Sequence, residues 1–339
     1  MTQDVSLTFA IGTAGRFQPL LDGAIRPKGI DLKGGFIGVS DIFWNQPKTE
    51  PWDVSEMSVT GYLWAIQHGR KWIGLPVFPG WVFGCHADTL VNVHSGIEGP
   101  ADLRGKRVGV PEYPVAAVSY IRDAFEQEAG VRADDFLWVE ERSDESSHYR
   151  PFGYRVPAPT EQVPMDKTLC EMLIAGEIDA TTRYFGGPGS RNRMSPVSDR
   201  SQMTIEELAA HPNVRWLYPD RKAAAMAYSQ KVGSPQAIHC IIIKQEVVDR
   251  YPWVPGSLYE AFAETLRQTA PTSKIHTSFD FPISEQQEVI GPDFLPFGLD
   301  ASKRTMLTRF LDRAAKDGFV VGDRRFTVDE LWPEPTPSA

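Results

Sequence analysis

Gly105-Lys106-Arg107-Val108-Gly109-Val110-Pro111, followed at once by Glu112-Tyr113, is the stretch on which the reading of the fold turns. Two basic residues lead into alternating valine and glycine, and Pro111 ends the run, so it reads as a short strand opening into a loop. Beyond Pro114, Val118, Ile121 and Phe125 recur at helical spacing, which predicts a helix with one buried face. A strand that feeds an amphipathic helix is one α/β unit. The Gly- and Pro-bearing stretch Ile97–Leu103 just before it reads as a linker, so this unit is the start of a second lobe.

The same alternation extends outward in both directions. Leu7–Ile11 reads as a first strand closed by Gly12-Thr13-Ala14-Gly15, with Arg16–Leu21 as a short helix. Trp52–Met57 reads as a strand, and Ser58 as the N-cap of a helix through Tyr62, Leu63 and Ile66 that stops at His68-Gly69. Downstream, Phe136–Val139 is the next strand, and the polar, Pro-rich, aperiodic run Glu140–Pro164 is expected to be a long surface insertion. Leu169, Met172 and Leu173 resume a helix up to Gly176, Ile178–Thr182 is a strand, and Thr204 with Glu207 has the capping-box spacing. Val214–Tyr218 and Ile238–Ile243 read as strands, the latter apolar enough to be buried on both faces. Leu258, Phe262 and Leu266 lie one turn apart, as do Met306, Phe310 and Ala314, and Gly318 is a stop. Two α/β lobes with mostly parallel sheets are the expected architecture. Residues 99–235 are expected to form the second lobe, with residues 1–98 before it and 236–339 after it.

Charge and composition remove whole classes of function. The chain has 339 residues, 42% hydrophobic and 23% charged, with 35 Lys and Arg against 44 Asp and Glu for a net charge of −9. An acidic balance disfavours nucleic acid as partner. The purest apolar run, Ile238–Ile243, falls far short of the about 20 residues a membrane span needs. Thr2-Gln3-Asp4 does not read as the basic start of an export signal, so a cytoplasmic location is expected. Cys85, Cys170 and Cys240 are odd in number and widely spaced, which points to free buried thiols. No GxSxG elbow, HExxH, Walker A loop or paired CxxC occurs. Cys85, His86 and Asp88 are read as neighbours on a strand that face opposite ways, so no metal site is expected there. Gly186-Gly187-Pro188-Gly189-Ser190 with Arg191 and Arg193 reads first as a loop, and only weakly as an anion cradle.

The candidate ligand residues stand at the carboxyl ends of the expected strands, where open α/β sheets bind their ligands. They are Thr13 and Arg16, Glu56 and Ser58, Glu112 and Tyr113, and Arg183 and Tyr184. Arginines and helix-start amides in such loops suit a carboxylate. Each also has a plainer reading, Glu56 as a helix-start carboxylate and Arg183 as a surface charge. His239, inside an apolar run on a candidate interlobe strand, is either a satisfied core histidine or an acid–base group.

Several segments in fixed order resemble the 4,5-dihydroxyphthalate decarboxylase family. They are Leu20-Leu21-Asp22-Gly23 with Pro27-Lys28-Gly29-Ile30-Asp31-Leu32, Asp53-Val54-Ser55-Glu56-Met57-Ser58 through Tyr62, and Leu75-Pro76-Val77-Phe78-Pro79. Asp102-Leu103-Arg104 leading into the 105–113 stretch, Ala175-Gly176-Glu177-Ile178-Asp179-Ala180, and Gly291-Pro292-Asp293-Phe294-Leu295-Pro296-Phe297-Gly298 complete the set. The resemblance implies a two-lobed fold like the type II periplasmic binding proteins, with crossing strands, a ligand cleft between lobes and a first lobe completed by the C-terminal part of the chain.

The resemblance also implies non-oxidative loss of carbon dioxide from a small aromatic or cyclic carboxylic acid. It implies no organic cofactor and leaves a divalent ion and a homodimer open. Such chemistry needs a proton donor for the ring carbon, a group for the hydroxyl proton and a desolvated pocket. Glu56, Glu112 and His239 are the candidates for proton transfer, and Arg16 and Arg183 for orienting the acid. Trp81 and Phe83 are candidates for an aromatic wall or for lobe core. Family members tend to carry Arg-x-Phe-Arg-His after the Phe-Pro pair, where this chain has Trp81-Val82-Phe83-Gly84-Cys85, and Gly15-Arg16 replaces an Asp-Arg pair. Two alternatives stand beside the decarboxylase: a solute-binding protein for a small organic anion, and another lyase or dehydratase on the same scaffold.

Overall fold

The computed structural model describes residues 4–12, 14–182, 200, 203–233, 236–269, 285, 288, 291 and 295–335. The chain opens with β1 (Val5–Ile11), β2 (Ile30–Phe36), β3 (Val54–Ser58) and β4 (Trp72–Leu75). A short β5 (Trp81–Val82) leads to β6 (Leu90–Asn92), β7 (Arg107–Val110), β8 (Leu137–Glu140), β9 (Thr160–Gln162), β10 (Ala180–Thr181) and β11 (Val214–Trp216). Then β12 (Gln236–Ala237) precedes β13 (His239–Lys244). They assemble into one sheet ordered β2-β1-β3-β13-β4, a second ordered β11-β6-β10-β7-β8-β9, and a ribbon of β5 with β12.

Both passages of the chain between the two sheets run through that ribbon, where Trp81 faces Ala237 and Val82 faces Gln236. The ribbon explains the one departure from a mostly parallel arrangement. β1 is parallel to β2 and β3, and β7 to β8 and β10, but β13 is antiparallel to β3 and β4, and β6 to β10 and β11. β6 and β13 are the strands that follow a ribbon crossing, so each enters its sheet at the edge where the parallel strands end and runs back against them. Both sheets are mixed for that reason.

β13 is the most apolar strand and sits between two neighbours, with Cys240, Ile241, Ile242 and Ile243 fully buried. Around the sheets, sequence signals set the helix ends. Ser58 caps the helix Val59–Gln67, its hydroxyl accepting from Gly61 N at 2.9 Å, and Thr204 closes a capping box with Glu207. The helix Ala301–Lys316 docks on the helix Ala116–Ala129 through a buried cluster, in which Asp317 accepts from Arg122 at 2.9 Å and pairs with Arg313 at 2.6 Å. All three cysteines are buried free thiols. No helix among the described residues is long and apolar enough to cross a membrane.

Two expectations are overturned. The run Glu140–Pro164 is not a surface insertion: Glu140, Glu141, Arg142, Ser147, His148, Tyr149 and Tyr154 are buried, and Thr160–Gln162 adds β9 to the second sheet. Its charges tolerate burial because they are paired, Arg150 with Glu140 and Arg142 with Glu112. Cys85–Asp88 is a turn of 3-10 helix rather than strand, because Gly84 at φ 46° takes the chain out of β5 after two residues. His86 there meets Glu128 at 2.8 Å and Asp88 accepts from Arg221 at 2.7 Å.

Candidate active site

The carboxyl edge of the first sheet, beside the ribbon, collects most of the candidate side chains. In the β3–β13 register Ile241 lies opposite Glu56 and His239 opposite Ser58. Glu56 and His239 are therefore diagonal neighbours on one face of the sheet, within reach of each other. His239 Nδ1 donates to Glu56 Oε1 at 2.6 Å, and Gly12 N, just past the end of β1, donates to Glu56 Oε2 at 2.8 Å. Glu56 is fully buried, so its charge is held by these charge-assisted bonds and by Arg16 nearby. With Nδ1 committed to the carboxylate, Nε2 is left to exchange a proton with a ligand.

Arg16 is buried, donates to Pro79 O, and its guanidinium carbon lies over the Trp81 ring, 3.8 Å from the centroid. Burial pushes its guanidinium down to about 10, against the pull of Glu56, so it stays charged at neutral pH. Phe43 meets the His239 ring edge-on, centroids 4.9 Å apart at 82°. Its other edge-on neighbour is His148, at 6.3 Å. Burial, with Arg142 and Lys48 adding to it, pushes the His148 imidazole well below its ordinary value, so it is neutral.

Glu112 is brought elsewhere. Its carboxylate accepts from Ser147 Oγ, from Arg142 Nη1 at 3.2 Å and from His148 N at 3.3 Å. That network anchors the 147–149 segment against the first lobe, where Tyr149 OH bonds Thr60 Oγ1 at 2.8 Å and Ser58 Oγ at 3.2 Å. Tyr149 is pushed up to about 12 by burial, so its hydroxyl keeps its proton. Tyr113 also stands apart from the Glu56–His239 pair, its ring between the Arg122 guanidinium at 3.8 Å and Trp138 at 5.4 Å. Phe83 is wholly buried beyond β5. Thr13, Arg183, Tyr184 and the 186–193 loop lie outside the described residues.

A cavity of about 50 Å³ lies between the helices Val39–Thr49 and Val59–Gln67, lined by Phe43, Met57, Trp64, His148, Tyr149 and Phe152 among others. It has room for a few water molecules rather than an aromatic acid. His239 does not line it. Among the described residues no group of three or more His, Cys, Asp or Glu side chains stands close enough to hold a metal ion.

Of the residues named from sequence, Glu56, His239, Arg16, Ser58 and Trp81 lie together at this edge, beside Gly12, Phe43, His148 and Tyr149, which the sequence did not mark. Gly12 was legible only as strand punctuation, and Phe43 lies in a helix where nothing local marks it. His148 and Tyr149 were hidden in the polar run mistaken for surface.

No protein-family model matches the chain. The sequence is 30% identical over 339 residues to the 4,5-dihydroxyphthalate decarboxylase of Comamonas testosteroni, covering 97% of this chain and 96% of that protein. It is 29% identical over 239 residues to the 4,5-dihydroxyphthalate decarboxylase of Pseudomonas putida, covering 70% of this chain and 86% of the relative. In fold it is similar to the periplasmic sulfonate-binding protein SsuA of Methylobacillus flagellatus, with a TM-score of 0.59 at 10% identity over 98% of this chain and 93% of that one.

Proposed function

Since the chain belongs to the 4,5-dihydroxyphthalate decarboxylase family, we propose that it is a non-oxidative carboxy-lyase whose substrate is a hydroxylated aromatic acid. The observation that carries the chemical reading is the buried Glu56–His239 pair at the carboxyl edge of the first sheet.

Loss of carbon dioxide from an aryl carboxylate leaves an electron pair on a ring carbon, which is prohibitive unless that carbon is protonated first. A ring hydroxyl makes the protonation feasible, because its oxygen releases electrons into the ring and a keto-like intermediate forms. The imidazolium of His239 gives its Nε2 proton to the carbon bearing the carboxylate. The bond to the carboxylate then breaks, its electron pair restores the aromatic ring, and carbon dioxide leaves. The net change is one proton gained and one carbon dioxide lost. Glu56 supports the step by accepting from Nδ1, which fixes the ring and leaves Nε2 as the nitrogen that meets the ligand. Arg16 provides positive charge for the substrate carboxylate, and Trp81 a flat apolar face beside it.

The test is to incubate the purified protein with hydroxylated benzoates and phthalates, 4,5-dihydroxyphthalate among them, following carbon dioxide release together with ring absorbance. Release from at least one member, lowered by about 10²–10⁴-fold in His239→Ala, is the expected result. Thermal stabilisation by panel members without any turnover would overturn the reading in favour of ligand binding without chemistry.

A further inference from the structure

The imidazole of His239 is packed against a residue that has no side chain. Gly80 precedes β5, and its carbonyl accepts from Ile238 N at 2.9 Å and from His239 N at 3.1 Å. A Cβ placed on Gly80 would lie 2.6 Å from His239 Nδ1, 2.7 Å from Cγ and 3.1 Å from Cβ. All three of its nearest neighbours belong to that one histidine. Gly80 is not among the glycines with positive φ, so its backbone accepts an alanine and the conflict is with the imidazole.

The ring has nowhere cheap to go. Its Nδ1 is tied to Glu56 at 2.6 Å, and Phe43 meets it edge-on at 4.9 Å. Ordinary van der Waals contact starts at 3.4 Å, so Cγ would have to retreat by about 0.7 Å from its 2.7 Å approach. A displacement of that size is comparable to the whole tolerance of a reacting geometry.

We propose that Gly80 is a positioning residue for the reaction: the missing side chain at position 80 is what lets the His239 imidazole lie against the backbone and reach Glu56. Gly12 holds the far side of the pair through its amide, and a Cβ there would meet Val39 Cγ1 at 2.3 Å and Val39 N at 2.8 Å. The pair is thus clamped at both ends by backbone that a side chain would push away. Gly80 gives the cleaner test, since a Cβ there strikes the reacting group itself. The inference rests on the reading of Glu56 and His239 as the reacting pair.

The experiment uses the full chain with Gly80→Ala, His239→Ala and the double variant. Gly80→Ala is expected to lower kcat by about 100-fold while KM moves less than about threefold, because only the proton-transfer group is displaced. In the His239→Ala background the same substitution is expected to change the residual rate by less than about twofold. The far-downfield proton resonance of the Nδ1–Glu56 hydrogen bond should disappear in Gly80→Ala. If Gly80→Ala is unstable, the same substitution should cost much less stability in the His239→Ala background, because Nδ1 and Cγ, the two atoms it strikes hardest, are gone and only Cβ at 3.1 Å remains.

Wild-type kcat in Gly80→Ala, a retained downfield resonance, or an equal loss of rate or of stability in both backgrounds would each overturn the proposal. A fully active His239→Ala would instead overturn the reading of the pair, which is a distinguishable result.

Discussion

Replacing Glu56 by glutamine removes one charge from a fully buried position and leaves the outline of the side chain intact. In the native site one carboxylate oxygen accepts from Gly12 N at 2.8 Å and the other from His239 Nδ1 at 2.6 Å. Glutamine has one acceptor oxygen and one amino group, so it cannot serve both donors. If its oxygen stays with Gly12, its amino group faces Nδ1, and the imidazole must accept there and carry its proton on Nε2. The ring then loses its anionic hydrogen-bond partner, and with it the charge-assisted bond that orients it. A charge-assisted hydrogen bond is worth about 1.5–3 kcal/mol, which corresponds to roughly 10- to 160-fold in rate. Impaired general acid–base catalysis can reach about 10²–10⁴-fold, so a fall in kcat of about two to four orders of magnitude is expected. KM should move less than about threefold, because Glu56 acts through His239 rather than on the substrate. The assay is carbon dioxide release across a substrate range, with the thermal midpoint measured alongside. A folded Glu56→Gln protein whose kcat stays within about threefold of the wild type would refute the reasoning.

Other expectations concern stability. Arg122→Met leaves the buried Asp317 with Arg313 and the Ser119 hydroxyl, and should lower the unfolding free energy by about 3–5 kcal/mol in urea titrations; a loss below about 1 kcal/mol would mean the cluster contributes little. For His148 the folded imidazole titrates well below its ordinary value, so the unfolded chain binds a proton first as the pH falls. Stability should therefore be full above the unfolded value of about 6.5 and decline below it by up to about 1.4 kcal/mol per pH unit. His148→Gln should flatten that decline between neutral pH and mildly acidic pH, and an unchanged slope would assign it to other groups. Gly84→Ala combines a left-handed φ of 46° with a Cβ 2.4 Å from Ala225 Cα, and should cost about 1–3 kcal/mol in a thermal or urea melt. An unaltered melting curve would show that the turn yields.

What could be read along the chain follows a clear physical division. Strand and helix signals are local, so Ser58 as a cap, Val118, Ile121 and Phe125 as a buried stripe, and Ile238–Ile243 as a strand, buried on both faces except at the partly exposed His239, were all legible. The family was legible too, because ordered motifs survive as residue strings. Polar segments were the weak point. In Glu140–Pro164 the charges read as solvent-facing, since nothing local marks their partners: Arg142 pairs with Glu112, 30 positions away, and Arg150 with Glu140 only once the chain folds back.

The sequence by itself therefore determined the α/β class, the positions of most strands and helices, and the residue types able to carry acid–base chemistry. Only the tertiary structure decided that Glu56 and His239, 183 positions apart, form a hydrogen-bonded pair while Glu112 is spent on anchoring the 147–149 segment. The reason is the direction of one strand. β13 returns antiparallel beside β3 because the chain re-enters the first sheet from the ribbon, and that register, set by long-range packing, puts the imidazole next to the carboxylate.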